Sequence, residues 1–234
     1  MSDFSDASSC LYMKYNEAWG VLVQRLPLDR GLSNPHFVSP PSAYFELAVR
    51  LMVVGQETKG WGPTDDGCFG EPLGEDPTRR LMDVYAEFDL GRRYMRSPFW
   101  QAAHRLHEGL NPGHPRGAFL WSNLVKIDQC GHRPGDEYES LVTELQLLQF
   151  EITQLDPHVV VFFTGPRYRD RLASTFPQST RERVDALLTR IKLTPTSTVM
   201  AWETYHPGYL RRDKARWTVL DRIVALSRSA SSEL

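Results

Sequence analysis

The segment His158-Val-Val-Val-Phe-Phe-Thr-Gly-Pro166 is almost wholly apolar and ends at a glycine followed by a proline. A short apolar run bounded by turn residues is typical of a β-strand that is covered on both faces. Three further runs have a similar form, and they end at Gly55, at Asn123 and at Tyr205-His206. Together the four runs predict the strands of one buried sheet.

Segments with a helical spacing of apolar residues alternate with these runs. Strands that alternate with helices are typical of a parallel sheet sandwiched by helices. We therefore predict an α/β fold with three layers, α/β/α, around a four-stranded parallel sheet. The predicted helices cover about residues 11–26, 78–88, 98–110, 136–155, 167–176 and 213–229, and an amphipathic run covers 181–191.

Length and composition limit the classes of protein that fit. The 234 residues suit a single domain, 1–234, with its core at about residues 44–226. The net charge of -2 excludes a generally basic nucleic-acid-binding protein, so a DNA contact needs a local basic face. The three cysteines are far apart, which indicates a reduced setting. The N-terminal segment lacks the pattern of a secretory signal and no apolar run is long enough for a membrane span, so we expect a cytoplasmic protein with no membrane partner.

Polar side chains with different chemistry follow the predicted strands. Gln56 and Glu57 follow the first, Asn123 ends the second, and His206 follows the fourth. Ligands of open α/β sheets bind outside the carboxyl ends of the strands, so we expect these side chains to line one site. A carboxylate at Glu57 suits water activation, and an imidazole at His206 suits stabilisation of a leaving group. The amide of Asn123 offers a donor and an acceptor, as needed to recognise a base edge.

His104 and His107 share a helix face at a spacing of three residues, as two ligands of a metal ion can. No acidic third ligand accompanies them in the sequence. We therefore expect no metal and no cofactor.

The motifs resemble those of the uracil-DNA glycosylase superfamily. The segments Val53–Gly62, Leu120–Asp128, Val159–Pro166 and Tyr205–Arg212 follow in the family's order. The family's first motif is Gly-Gln-Asp-Pro-Tyr-His with variants, its second motif supplies an Asn that recognises uracil, and its last is His-Pro-Ser. The resemblance covers about residues 44–226 and implies the family fold, base flipping and hydrolysis of the N-glycosidic bond of a base in DNA.

The resemblance implies a role for each matched residue. Glu57 would activate water and His206 would stabilise the departing base. Gly55, the Gln56 backbone amide and Asn123 would bind the base, and Phe69 or Trp61 would stack on it. Tyr209 or Leu210 would fill the gap in the duplex. The implied phosphate-binding residues are Arg211, Arg212 and Lys214.

Several positions depart from the family pattern. Glu57 is one methylene longer than the family's Asp, and Lys59 stands in place of the Tyr that excludes thymine. Gly60 replaces the His that follows, and Gly208 replaces the Ser of the last motif. The sequence therefore predicts a DNA glycosylase of base excision repair that acts on uracil or another deaminated or damaged base. Two alternatives are a non-catalytic protein of the same fold that binds a nucleobase or nucleic acid, and a nucleoside or nucleotide N-glycosidase.

Overall fold

The computed structural model of the protein describes residues 4–64, 67–114 and 116–231. The chain forms two compact units, each assembled from three segments. The first unit comprises Met1–Pro40, Gln56–Asp89 and Ser122–Leu155, and the second comprises Pro41–Gly55, Leu90–Trp121 and Asp156–Leu234. Within the described ranges, each helix is too short or too polar to cross a lipid bilayer.

The sheet has six strands in the order β2-β1-β3-β6-β5-β4. The pairs β1–β3 and β3–β6 are parallel, whereas β4–β5 and β5–β6 are antiparallel. Leu120 and Trp121 of β2 belong to the second unit, and the last two residues of this strand belong to the first. The strands are β1 (Leu51–Gly55), β2 (Leu120–Asn123), β3 (Val159–Phe162), β4 (Thr180–Arg183), β5 (Leu188–Lys192) and β6 (Met200–Thr204).

The α/β class is as the sequence predicts, but the prediction of four parallel strands is wrong. The amphipathic run at 181–191 lies in a hairpin formed by β4 and β5, which adds two antiparallel strands beside β6. In β5, Leu188 and Ile191 are buried, whereas the residues of β4 are mostly exposed. A strand with one polar face lacks the continuous apolar run that identifies β1 and β3, so the sequence signal is weak.

The helices follow the sequence prediction except that the first begins at Phe4, a short helix at Pro207–Leu210 was not predicted, and two predicted helices are each divided in two. The segment 136–155 forms two helices because Gln146 adopts a left-handed conformation with φ of 54°. The C-terminal segment also forms two helices, separated at Thr218. The helices are α1 (Phe4–Arg25), α2 (Pro77–Phe88), α3 (Pro98–Leu110), α4 (Asp136–Glu144), α5 (Leu147–Leu155), α6 (Arg169–Thr175), α7 (Pro207–Leu210), α8 (Lys214–Trp217) and α9 (Val219–Ser231).

Helices cover the apolar residues of each unit. In the first unit α1 packs against α2 and α5, and in the second α3 packs against α7, α9 and β1. The strands β1 and β3 are buried at every residue. Because β1, β3 and β6 are parallel, their carboxyl ends lie at one edge of the second unit, where Gly55, Thr164 and His206 are found.

Candidate functional site

In the first unit, the loop that follows β1 is held by the buried carboxylate of Asp128. The Thr58 hydroxyl donates to this carboxylate at 2.6 Å, and the amide of Gly60 donates at 2.8 Å. The amide of Gly131 donates to its second oxygen at 2.6 Å. The Thr58 hydroxyl also lies 2.9 Å from that of Ser33. Charge-assisted hydrogen bonds of this kind fix the backbone, so the loop that carries Gln56 and Glu57 has a defined course.

The base-recognition residues predicted from the sequence occupy neighbouring segments of the first unit. The carbonyl oxygen of Gln56 accepts a hydrogen bond from the amide of Val125 at 2.9 Å. Val125 lies two residues after Asn123, whose side chain is 1% exposed. Glu57 is half-buried and Lys59 is exposed. The structure therefore joins the segment of Gln56 and Glu57 to the segment of Asn123.

A buried ionic network supports the end of β2. The ammonium of Lys126 donates to the Ser122 hydroxyl at 2.5 Å and to both carboxylate oxygens of Glu151 at 2.6 Å. The hydroxyls of Ser122 and Tyr15 donate to Glu151, each at 2.7 Å. Burial lowers the pKa of Lys126, and the Glu151 charge opposes that shift. Since Ser122 and Lys126 flank Asn123 in the chain, the network restricts the position of Asn123, the residue predicted to recognise a base.

The two aromatic residues considered for stacking on a base are both buried. Phe69 is 4% exposed and packs edge-on against Trp19 of α1, with 5.6 Å between ring centroids. The Trp61 ring packs against His36 at 4.7 Å and against Phe88 at 5.5 Å. In this arrangement both rings contribute to the core of the first unit, and neither presents an open face.

In the second unit, His206 follows β6 and is held in one orientation. Its Nδ1 accepts a hydrogen bond from the amide of Gly208 at 3.1 Å. The ring of Phe99 lies alongside, with 6.2 Å between centroids and 26° between planes. Burial lowers the pKa of His206 from its usual value of 6.5. The imidazole is therefore neutral at neutral pH, and because Nδ1 accepts, Nε2 carries the proton and can donate.

The glycine that replaces Ser in the last motif has a steric role. A Cβ atom at position 208 would lie 3.2 Å from Nδ1 of His206. Such a contact is shorter than an ordinary van der Waals separation. Gly208 therefore lets its amide approach the imidazole closely enough to hydrogen-bond it.

The residues expected to fill a gap in the duplex differ in their exposure. Leu210 has no exposed surface and packs inside the second unit. Tyr209 is partly exposed, and its ring stacks on Tyr205 with centroids 4.7 Å apart. The guanidinium of Arg216 lies 4.5 Å from the centre of the Tyr209 ring. Of the two, only Tyr209 has exposed surface that could contact a ligand.

A basic cavity of about 490 Å³ lies beside α3, α8 and α9. Arg105, Arg211 and Lys214 contribute its cationic groups. Arg105 forms a two-bond ion pair with Asp221 at 2.8 and 2.9 Å, and Arg211 donates to Gln101. Lys214 and Arg212 are exposed. The cavity can accept an anionic group such as a phosphate.

Sequence reasoning missed several residues that form these arrangements. Asp128, Lys126 and Glu151 are ionisable residues, which are usually exposed, and only burial distinguishes them. A charged residue inside an apolar run, as Lys126 and Asp128 are in Leu-Val-Lys-Ile-Asp, was an available signal. Phe99 gave no sequence signal for its place beside His206.

His104 and His107 pack their rings against Phe119, with centroids 5.0 and 5.5 Å away. Over the described ranges, no cluster of three or more His, Cys, Asp or Glu side chains is arranged to hold a metal ion. No protein-family model matches the chain, and no curated protein matches it. The function is therefore argued from the chemistry of the residues.

Proposed function

We propose that the protein is a DNA glycosylase related to the uracil-DNA glycosylase superfamily, which hydrolyses the N-glycosidic bond of uracil or another deaminated or damaged base. The observation that carries the proposal is the place of the motifs in the fold. Gln56 follows β1, Asn123 ends β2, Thr164 follows β3 and His206 follows β6. Ligand sites of open α/β sheets are built from such strand ends.

The proposed reaction assigns one role to each residue. The Glu57 carboxylate orients a water molecule and takes its proton as the oxygen attacks the sugar carbon. The C–N bond breaks, and the base leaves with the bonding electron pair. The Asn123 amide and the Gln56 backbone amide hold the base edge.

The state of His206 fits stabilisation of that leaving group. Its Nδ1 is occupied by the Gly208 amide, so the neutral ring directs its only N–H from Nε2. A hydrogen bond from Nε2 to the oxygen of the departing base is strengthened as negative charge develops there. The hydrogen bond from Gly208 orients the ring, and Phe99 lies alongside it.

Base release from oligonucleotides containing uracil, hypoxanthine or xanthine tests the proposal. Glu57→Gln and His206→Ala are each expected to slow release by about a hundredfold, through lost water activation and lost charge stabilisation. The exposed Glu75→Gln and His114→Ala serve as matched controls that leave the rate unchanged. Release that stays at the wild-type rate in both Glu57→Gln and His206→Ala contradicts the assigned roles.

A further inference from the structure

The second unit contains another cavity, of about 450 Å³, which we call the hairpin pocket. It is formed by the segment after β3, the end of β6 and the β4–β5 hairpin. Cavities of this volume suit small organic ligands. Its lining includes Arg169, Arg181, Arg183, Asp185, Glu203 and Tyr205.

Glu203 lines this pocket, and one of its carboxylate oxygens is buried without a hydrogen bond from the described residues. Glu203 is 4% exposed, and its Oε2 accepts a hydrogen bond from Arg181 at 2.8 Å. Within the described parts of the chain, its Oε1 is inaccessible to solvent and accepts no hydrogen bond. An unsatisfied buried acceptor is costly and is uncommon in folded proteins. A ligand that donates an N–H to Oε1 would remove that cost.

The pocket also carries cations that are available to an anion. The carboxylate of Asp185 is already engaged by the amides of Leu187 and Leu188, at 2.6 and 2.9 Å, and by Arg222. Arg183 donates one N–H to the carbonyl oxygen of Asp185 and is otherwise exposed, as is Arg169. Two exposed guanidinium groups provide the planar donors that recognise a phosphate.

An aromatic side chain completes the lining. Tyr205 is partly exposed, and the stack it forms with Tyr209 holds its ring in place. Arg216 lies over the Tyr209 ring and extends that stack. A fixed aromatic ring is a platform on which nucleobases stack, whatever their identity.

We propose that the hairpin pocket binds one nucleotide whose base carries an exocyclic amino group. The amino group donates to Glu203 Oε1, and Arg169 and Arg183 hold the phosphate. Cytosine, adenine and guanine have such a group, whereas thymine and uracil present a carbonyl oxygen in its place. The nucleotide is either free or one residue of a single strand. The proposal does not depend on base release by His206 and Glu57.

Calorimetric titration of the full chain with dCMP and dTMP tests the base preference. We expect dCMP to bind at least about tenfold more tightly, because the O4 of thymine would face a carboxylate oxygen instead of donating to it. Deoxycytidine lacks the phosphate and inorganic phosphate lacks the nucleoside, so each should bind more weakly than dCMP. Equal affinity for dCMP and dTMP, or no binding of either, overturns the proposal.

The trinucleotides d(TCT) and d(TTT) distinguish the two sources of the nucleotide. Tighter binding of d(TCT) than of dCMP identifies a strand as the ligand, and tighter binding of dCMP identifies a free nucleotide. In both cases the ligand that contains cytosine must bind more tightly than its thymine counterpart. A preference for d(TTT) over d(TCT) contradicts the pocket chemistry.

Two variants test whether Glu203 sets the base preference and whether Arg183 binds the phosphate. Glu203→Gln can turn its amide N–H toward O4 of thymine, so the ratio of dCMP to dTMP affinity should fall by at least about tenfold. Arg183→Ala should weaken dCMP but leave deoxycytidine unchanged. Arg190→Ala, which removes an exposed arginine of β5 outside the pocket lining, is the matched control. An unchanged base preference in folded Glu203→Gln overturns the proposal. If Glu203→Gln does not fold, the proposal is overturned when Arg183→Ala binds dCMP with the wild-type affinity.

Discussion

Lys126 Nζ lies 2.6 Å from both carboxylate oxygens of Glu151, and neither side chain has more than 1% of its surface exposed. The pair joins the segment that follows β2 to α5 inside the first unit, between residues 25 positions apart in the chain. A buried ion pair costs desolvation that its attraction only partly offsets. Here Ser122 and Tyr15 supply further hydrogen bonds, which is the condition under which such a pair is tolerated.

Replacing only one partner of this pair should be strongly destabilising. Lys126→Met leaves the Glu151 carboxylate buried without a cation, which we expect to cost about 3–5 kcal/mol of unfolding free energy in urea denaturation. The double variant Lys126→Met/Glu151→Leu should regain part of that loss because both charges are absent. Arg25→Met, which breaks the exposed pair with Glu144, is the control and should cost less than about 1 kcal/mol. A loss of similar size for Lys126→Met and Arg25→Met would contradict this account.

The strands that the sequence predicts correctly are those with the least ambiguous chemistry. Val159–Phe162 and Leu51–Gly55 are continuous apolar runs of strand length, which are typical of a strand covered on both faces. The hairpin of β4 and β5 has charged residues at most positions and buries only Leu188 and Ile191 of β5. A pattern so sparse suits a surface helix and a strand at the edge of a sheet equally well.

Some residues of the candidate site could be predicted from a sequence pattern, and others could not. Gln56, Asn123 and His206 were predicted because each follows an identifiable strand, and strand ends carry ligand sites. Asp128 and Glu203 act through burial, which depends on tertiary packing, and the only local sign of Asp128 is its place in the run Leu-Val-Lys-Ile-Asp. Leu210 was expected to contact DNA, but the turn of α7 directs it into the core.

Asp128→Ala should loosen the loop that carries Gln56 and Glu57. The change removes the charged acceptor for the buried Thr58 hydroxyl and for the amides of Gly60 and Gly131. We expect a loss of about 3 kcal/mol in unfolding free energy. Base release should slow even at a temperature where the variant is folded. Asp29→Ala removes an exposed carboxylate and should change neither quantity. A stable Asp128→Ala variant with normal release would show that the carboxylate does not anchor the loop.

Gly208→Ala should displace the His206 ring. The added Cβ would lie 3.2 Å from Nδ1, so the imidazole or the turn must shift by a few tenths of an ångström. Small misplacements of a catalytic group slow a reaction, and we expect a loss of up to about tenfold in the rate of base release. Affinity for the oligonucleotide should be nearly unchanged. The control is Gly135→Ala, at a position where a Cβ meets no neighbouring atom. Equal rates for the two variants would argue against the steric role of Gly208.

Oligonucleotide binding should depend on salt through the basic residues after His206. Arg211, Arg212 and Lys214 are exposed, and phosphate contacts release counterions from DNA. Each alanine substitution should reduce the slope of log affinity against log salt by about 1. Arg30→Ala, in an exposed loop of the first unit, should leave the slope unchanged. If the alanine variants of Arg211, Arg212 and Lys214 all retain the wild-type slope, the phosphate contacts lie elsewhere.

Stability should fall as the pH decreases below about 6.5, because burial lowers the pKa of three histidines, His36, His158 and His206. The charge of Lys126 lowers the pKa of His36 further. A lowered pKa means that the unfolded chain binds more protons than the folded one, so unfolding is favoured as the pH falls from the unfolded value toward the folded value. Above the unfolded value the contribution to stability is complete.

The urea midpoint should therefore be lower at pH 5.5 than at pH 7.5. Burial raises the pKa of Glu203, which acts in the opposite sense because a raised pKa favours the folded state at low pH. His36→Gln separates the two effects, since it removes the largest histidine contribution and leaves Glu203 in place. The difference between the two midpoints should shrink in this variant, whatever its absolute stability. If the difference between the midpoints at pH 5.5 and pH 7.5 is the same in His36→Gln as in the wild type, folding does not lower the pKa of His36. That result would contradict the effect expected from the complete burial of His36 and from the nearby Lys126 charge.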